Sequence, residues 1–145
     1  MTHDPLSSAE ALASFLRGFE DGTWPVKEWT HRSHVIMAAC YLTALNEADA
    51  TSVIRENIRG YNLAQGGQNT DTSGYHETLT IFWIRVIDRF LRSLPPALSR
   101  LDKIRAAAGE FGGRSRLFED FWTFDVVKSV EARRTWIAPD RLPLP

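Results

Sequence analysis

The chain of 145 residues balances 17 Lys and Arg against 18 Asp and Glu, for a formal charge of −1 and a pI near 6.4. It has no basic run of five or more residues, which argues against nucleic acid as a partner. Cys40 is the lone cysteine, which excludes an intramolecular disulfide and a cysteine-based zinc knuckle, and no apolar run approaches the ~20 residues of a membrane span. The length suits one domain over residues 1–145 with its own core. Met1-Thr2-His3-Asp4-Pro5 carries neither the basic nor the apolar segment of a secretory signal, so the expected setting is cytoplasmic, with His3 in a fraying tail.

Ser7-x-x-Glu10 reads as a capping box, and Leu12, Phe15, Leu16 and Phe19 recur at helical spacing until Gly22, which predicts a first helix over 8–20. A connection over 22–29 holds Pro25 and two tryptophans, whose indole N–H groups need acceptors if buried. Thr30 caps a second helix, with Val35, Ala38, Tyr41, Leu42 and Leu45 on its apolar face. Asp49 caps a third, whose stripe of Val53, Ile54, Ile58 and Tyr61 ends at Gly66-Gly67. The fourth and longest helix runs from about Ser73 to Ser93 and stops before Pro95-Pro96. Leu98, Leu101 and Ile104 suggest a fifth helix ending near Gly109. Phe118, Phe121, Trp122 and Phe124 form an aromatic cluster on a short helix, serving as core or as a homodimer surface. A last helical turn spans Ser129 to Thr135, and the tail is extended. No stretch alternates with period two, so the expected fold is an all-α bundle of five or six helices.

Three histidines carry the candidate chemistry. His31 and His34, three apart, share a helix face, and His76 opens the fourth helix. Two ligands on one helix and a third from a neighbour can build a metal site in a bundle, and three histidines leave a coordination position open for catalysis. Glu77 then orients a ligand or accepts a proton. Tyr61 and Asn69 lie near the same helix entrance and are candidates to bind a small polar molecule. The competing reading makes these ordinary satisfied polar groups: Glu77 favoured by the helix dipole, and Asp71 and Thr72 used as turn residues. A neutral histidine gains little from a helix start, which favours a ligand role for His76. Arg55, Arg59 and Arg85 could bind a carboxylate, or pair with acids such as Glu56 and Asp88. Cys40 reads as a small buried hydrophobe.

Through Trp29-Thr30-His31-x-x-His34, Tyr61-Asn62 and Asn69-Thr70-x-x-x-Gly74-Tyr75-His76-Glu77-Thr78, the chain resembles small bacterial proteins of unassigned function over roughly residues 29 to 83. It also has an architectural likeness to DinB-type bundles, which hold a divalent metal with three histidines. These readings lead to one expectation: a metal-dependent hydrolase or lyase, with zinc, iron or nickel held by His31, His34 and His76, and Glu77 as the proton carrier. The alternative is a non-catalytic small-molecule-binding or regulatory module that uses the same pocket without metal. A third reading is a purely structural or interaction protein.

Overall fold

A computed structural model describes residues 4–145, so His3 lies outside the described residues. Six α-helices and two 3-10 turns are present among them, and no strand. The all-α expectation is met. The first helix, α1 (Ala9–Asp21), starts at Ser8, whose hydroxyl accepts from the Ala11 N–H at 3.0 Å, so the cap sits one residue later than the Ser7 expected. It buries Leu12, Phe15 and Phe19, and closes on Gly22 in the left-handed region at φ 74°. A 3-10 turn over Val26–Glu28 leads to α2 (His31–Leu42). There Thr30 and Ser33 exchange the two bonds of a capping box.

α2 is the axis of the molecule. Every residue from Val35 to Leu42 is buried, so this helix is apolar all round and must be enclosed by others. Around it lie α3 (Glu47–Ala64), α4 (Glu77–Ser93) and α5 (Arg100–Phe111), with which it makes most of its helix contacts, while Tyr41 also donates to Glu20 of α1 at 2.6 Å. Asn46, and not Asp49, caps α3, accepting from the Asp49 N–H at 2.8 Å. At 18 residues α3 exceeds the 17 of α4, because α4 begins at Glu77, four positions later than the composition of its approach suggested. α2 ends before Leu45, which is exposed. One continuous core joins the helices, with Phe15, Phe19, Ile36, Ile54, Phe82 and Ile104 among its fully buried members.

After a second 3-10 turn, Leu117–Asp120, the chain returns across α4 and ends in α6 (Val130–Arg134) and an irregular tail. Phe121 and Trp122 stack edge-on against Phe82 of α4 at 4.9 and 5.4 Å. The Trp122 indole donates to the Ile137 carbonyl at 3.1 Å. Thr78, wholly buried, donates through its hydroxyl to the Thr135 carbonyl at 2.7 Å and accepts from the Ile137 N–H at 3.1 Å. This arm carries the Val126 carbonyl onto the start of α4. No described helix is long and apolar enough to cross a membrane.

Candidate small-molecule site

Thr30 caps α2, and the first turn of that helix presents His31 and His34 on one side, as their spacing requires. The His31 Nε2 lies 3.0 Å from the Phe111 carbonyl at the end of α5. The His34 Nδ1 lies 2.9 Å from the Thr30 carbonyl. A carbonyl oxygen only accepts, so each of these ring nitrogens carries the proton. In the neutral rings this leaves His31 Nδ1 and His34 Nε2 as bare lone pairs. Burial pushes both rings below the ordinary histidine pKa, against the opposing effect of the carbonyl bonds, and so favours the neutral form. Each ring also rests on an indole, His31 on Trp83 at 4.7 Å and His34 on Trp29 at 4.5 Å.

His76 is placed differently. It is the N-cap of α4, with an extended backbone (φ −130°, ψ 109°) that sets it outside the helix. Its Nδ1 accepts from the Leu79 N–H at 3.2 Å and its Nε2 donates to the Val126 carbonyl at 2.8 Å. Both nitrogens are therefore used. The imidazole takes the capping role usual for Ser, Thr, Asp or Asn, which a neutral ring can fill because Nδ1 is unprotonated. Burial lowers its pKa as well, with Arg133 nearby adding to the effect.

Glu77 is gripped from two sides. Arg55 of α3 donates Nε and Nη2 to the two carboxylate oxygens at 3.0 and 2.8 Å, and the Tyr75 hydroxyl donates at 2.5 Å. Burial alone would raise the carboxyl pKa, yet these donors outweigh it and hold the group below its ordinary value. Burial and the neighbouring carboxylate push the Tyr75 phenol up to about 12. The loop ahead of α4 is organised by Asn69, whose Oδ1 accepts from the Tyr75 N–H and the Asn62 side chain, both at 3.0 Å. Its amide donates to the Arg59 carbonyl at 3.1 Å. The Tyr61 hydroxyl is buried against the Trp24 carbonyl at 2.6 Å. Arg85 pairs with Glu47, and Arg59 lies over the Tyr75 ring at 4.8 Å. Asp71 pairs with Arg134 of α6.

A cavity of about 460 Å³ opens between α2, α3 and α4 and brings together all three histidines with Trp29, Asn62, Tyr75 and Trp83. Ile54, Ile58 and Asn62 line it from α3, and Leu79, Thr80, Trp83, Ile84 and Ile87 line it from α4. Exposed Thr30, Gly74 and Ser115 mark its open side. No Asp, Glu, Lys or Arg lines it, and Tyr61, Asn69 and Glu77 stand behind the wall.

The expected three-histidine metal centre is not formed. Among the described residues no group of three or more His, Cys, Asp or Glu side chains is placed to hold a metal ion. The physical reason lies in the rings: each one turns a nitrogen to a different backbone carbonyl, and His76 has no lone pair left to give. Zinc, iron and nickel therefore have no ligand set of His31, His34 and His76, and the metal-dependent hydrolase or lyase reading goes with it. Glu77, expected to carry a proton, is held ionised by Arg55 and lies outside the cavity. Sequence reasoning also missed Trp83 and the α4 wall. The signal was present, since positions 79, 80, 83, 84 and 87 fall on one helical face. The expectation that both linker tryptophans find acceptors fails too, because the buried Nε1 groups of Trp24 and Trp29 have none. Cys40 is buried and its thiol is pushed up to about 11 by desolvation, in keeping with a hydrophobe. Comparison of the chain with family models, with curated proteins and with solved structures finds no match.

Proposed function

We propose that the protein is a non-catalytic small-molecule-binding module whose ligand enters the cavity at the head of α2. The observation that carries this reading is the combination of size and lining. A cavity of about 460 Å³ has largely aliphatic and aromatic walls and two imidazole lone pairs without partners. Ligand sites are typically apolar hollows of about 300–1,000 Å³ with a few placed polar groups. A catalytic role draws no support from the neighbouring acid, because the Glu77 carboxylate already accepts from Arg55 and Tyr75. A cytoplasmic setting fits the free thiol of Cys40.

The test is thermal melting against a library of small uncharged molecules. Hits raise the melting temperature of the wild type, and the shift disappears in Ile58→Trp, which fills the cavity from α3. Shifts that persist in the filled variant place binding elsewhere and end this reading.

A further inference from the structure

The lining of the cavity says which chemistry it accepts. Four facts converge: His31 and His34 line the site and each keeps one ring nitrogen without a partner, no ionised side chain lines it, these two rings sit against the indoles of Trp83 and Trp29, and most of the remaining wall is apolar. We infer that the site takes an uncharged aromatic molecule bearing an O–H or N–H donor, which gives that hydrogen to His34 Nε2 or His31 Nδ1 while its ring lies among Trp29, Trp83 and the aliphatic wall. This rests on the binding-module reading and narrows it.

The polarity follows from the backbone bonds. For His34 to donate through Nε2, the ring would have to be a cation, because its Nδ1 proton is committed to the Thr30 carbonyl. Burial opposes that cation. The same holds for His31, whose Nε2 proton is committed to Phe111. The pair is therefore acceptor-only toward the cavity, and a ligand group that only accepts, such as an ether oxygen, finds no partner in it.

Charge is selected against by the same wall. An anion entering would shed water and meet two lone pairs with no Lys or Arg beside them. A cation would find no carboxylate, since Glu77 lies behind the wall and is paired with Arg55. An uncharged ring gives up little hydration and gains aromatic contact.

Phenol, anisole and benzoate share one ring and differ in the group that decides the matter: a donor, an acceptor alone and an anion. Titration at neutral pH, followed through the methyl resonances of Ile54, Ile58, Ile84 and Ile87, reads site and affinity together. Phenol binds about fivefold more tightly than anisole, the worth of one hydrogen bond, and benzoate more weakly than either. Of His34→Phe and His31→Phe, tested separately, at least one loses the phenol preference while anisole still binds, which shows that the cavity has survived; a preference kept in both overturns the assignment. If anisole or benzoate matches phenol at the same methyl groups, the ligand class is wrong and the binding module stands. If none of the three moves those resonances, the aromatic ligand class falls, and the binding module is decided by the melting screen alone.

Discussion

His76 shows how a single side chain can be placed correctly and read wrongly. Its position at the start of α4 was legible from the polar loop before it, but its partners were not. One is the N–H three residues on, and the other is a carbonyl 50 residues away. The same holds for His31, bonded to a carbonyl 80 residues on. A pattern of residue types reports which groups can ligate, not which backbone atoms reach them first.

This pairing has a consequence for stability against pH. His31, His34 and His76 all have folded pKa values below the ordinary 6.5, so at mildly acidic pH the unfolded chain binds more protons than the native one. Stability is then full above about 6.5 and declines as pH falls from there toward the folded values. Glu77 works in a lower window. Its carboxyl is depressed below 4.5, so its contribution is present above that value and is lost as pH falls through the folded pKa. Urea unfolding across this range should show the upper decline in the wild type and a shallower one in His76→Asn, which keeps a capping side chain but does not titrate. The variant should also be about 1 kcal/mol less stable at neutral pH, from the lost bond to Val126. An unchanged slope would mean that His76 is not held neutral.

At the scale of elements, caps and stops were the most legible features, because they depend on neighbours within a few residues. Thr30 and Gly22 stand where they were expected. The two misplaced caps, Ser7 for Ser8 and Asp49 for Asn46, confuse residue types that all favour the same role, and only local geometry separates them. The late start of α4 has a clearer cause. Residues 68–74 form a loop with bonds of its own, Thr70 accepting from the Thr72 and Ser73 N–H groups and Gly74 tucked against Asn69, while Asn69 and Asp71 also reach Asn62, Arg59 and Arg134 outside it.

Gly74 is the fulcrum of that loop. It sits at φ 79°, and a Cβ there would lie 2.2 Å from the Gln68 carbonyl oxygen and 2.7 Å from Asn69 Oδ1. Gly66 has a similar φ of 86° with nothing within 4 Å. Both alanine variants suffer the backbone penalty of about 1–2 kcal/mol, and Gly74→Ala should lose measurably more because the clash adds to it. Chemical denaturation of the pair checks this; equal losses would show that the loop does not hold Asn69 against residue 74.

At the scale of the whole molecule, the fold class was readable from periodicity, while the closing of the C-terminal arm over α4 was not. Thr78 appeared only as the end of a motif, yet it is the latch between that arm and the helix. Thr78→Val keeps the shape and removes the hydroxyl, leaving a buried carbonyl and N–H unpaired, so it should lose about 1–3 kcal/mol in equilibrium unfolding. A neutral result would mean that the arm is not fastened there. The candidate site was legible in part. His31, His34 and His76 do surround one hollow, and the error lay in assigning them to an ion when backbone carbonyls already held them.

The most direct test of that account is the protonation of the three rings, read by long-range proton–nitrogen correlation NMR at neutral pH. The bonds require a neutral ring at His76, protonated at Nε2, and burial favours neutral rings at His31, protonated at Nε2, and at His34, protonated at Nδ1, with no common response to added zinc. Cationic rings, the opposite tautomers, or all three resonances shifting together on addition of one equivalent of zinc would contradict it.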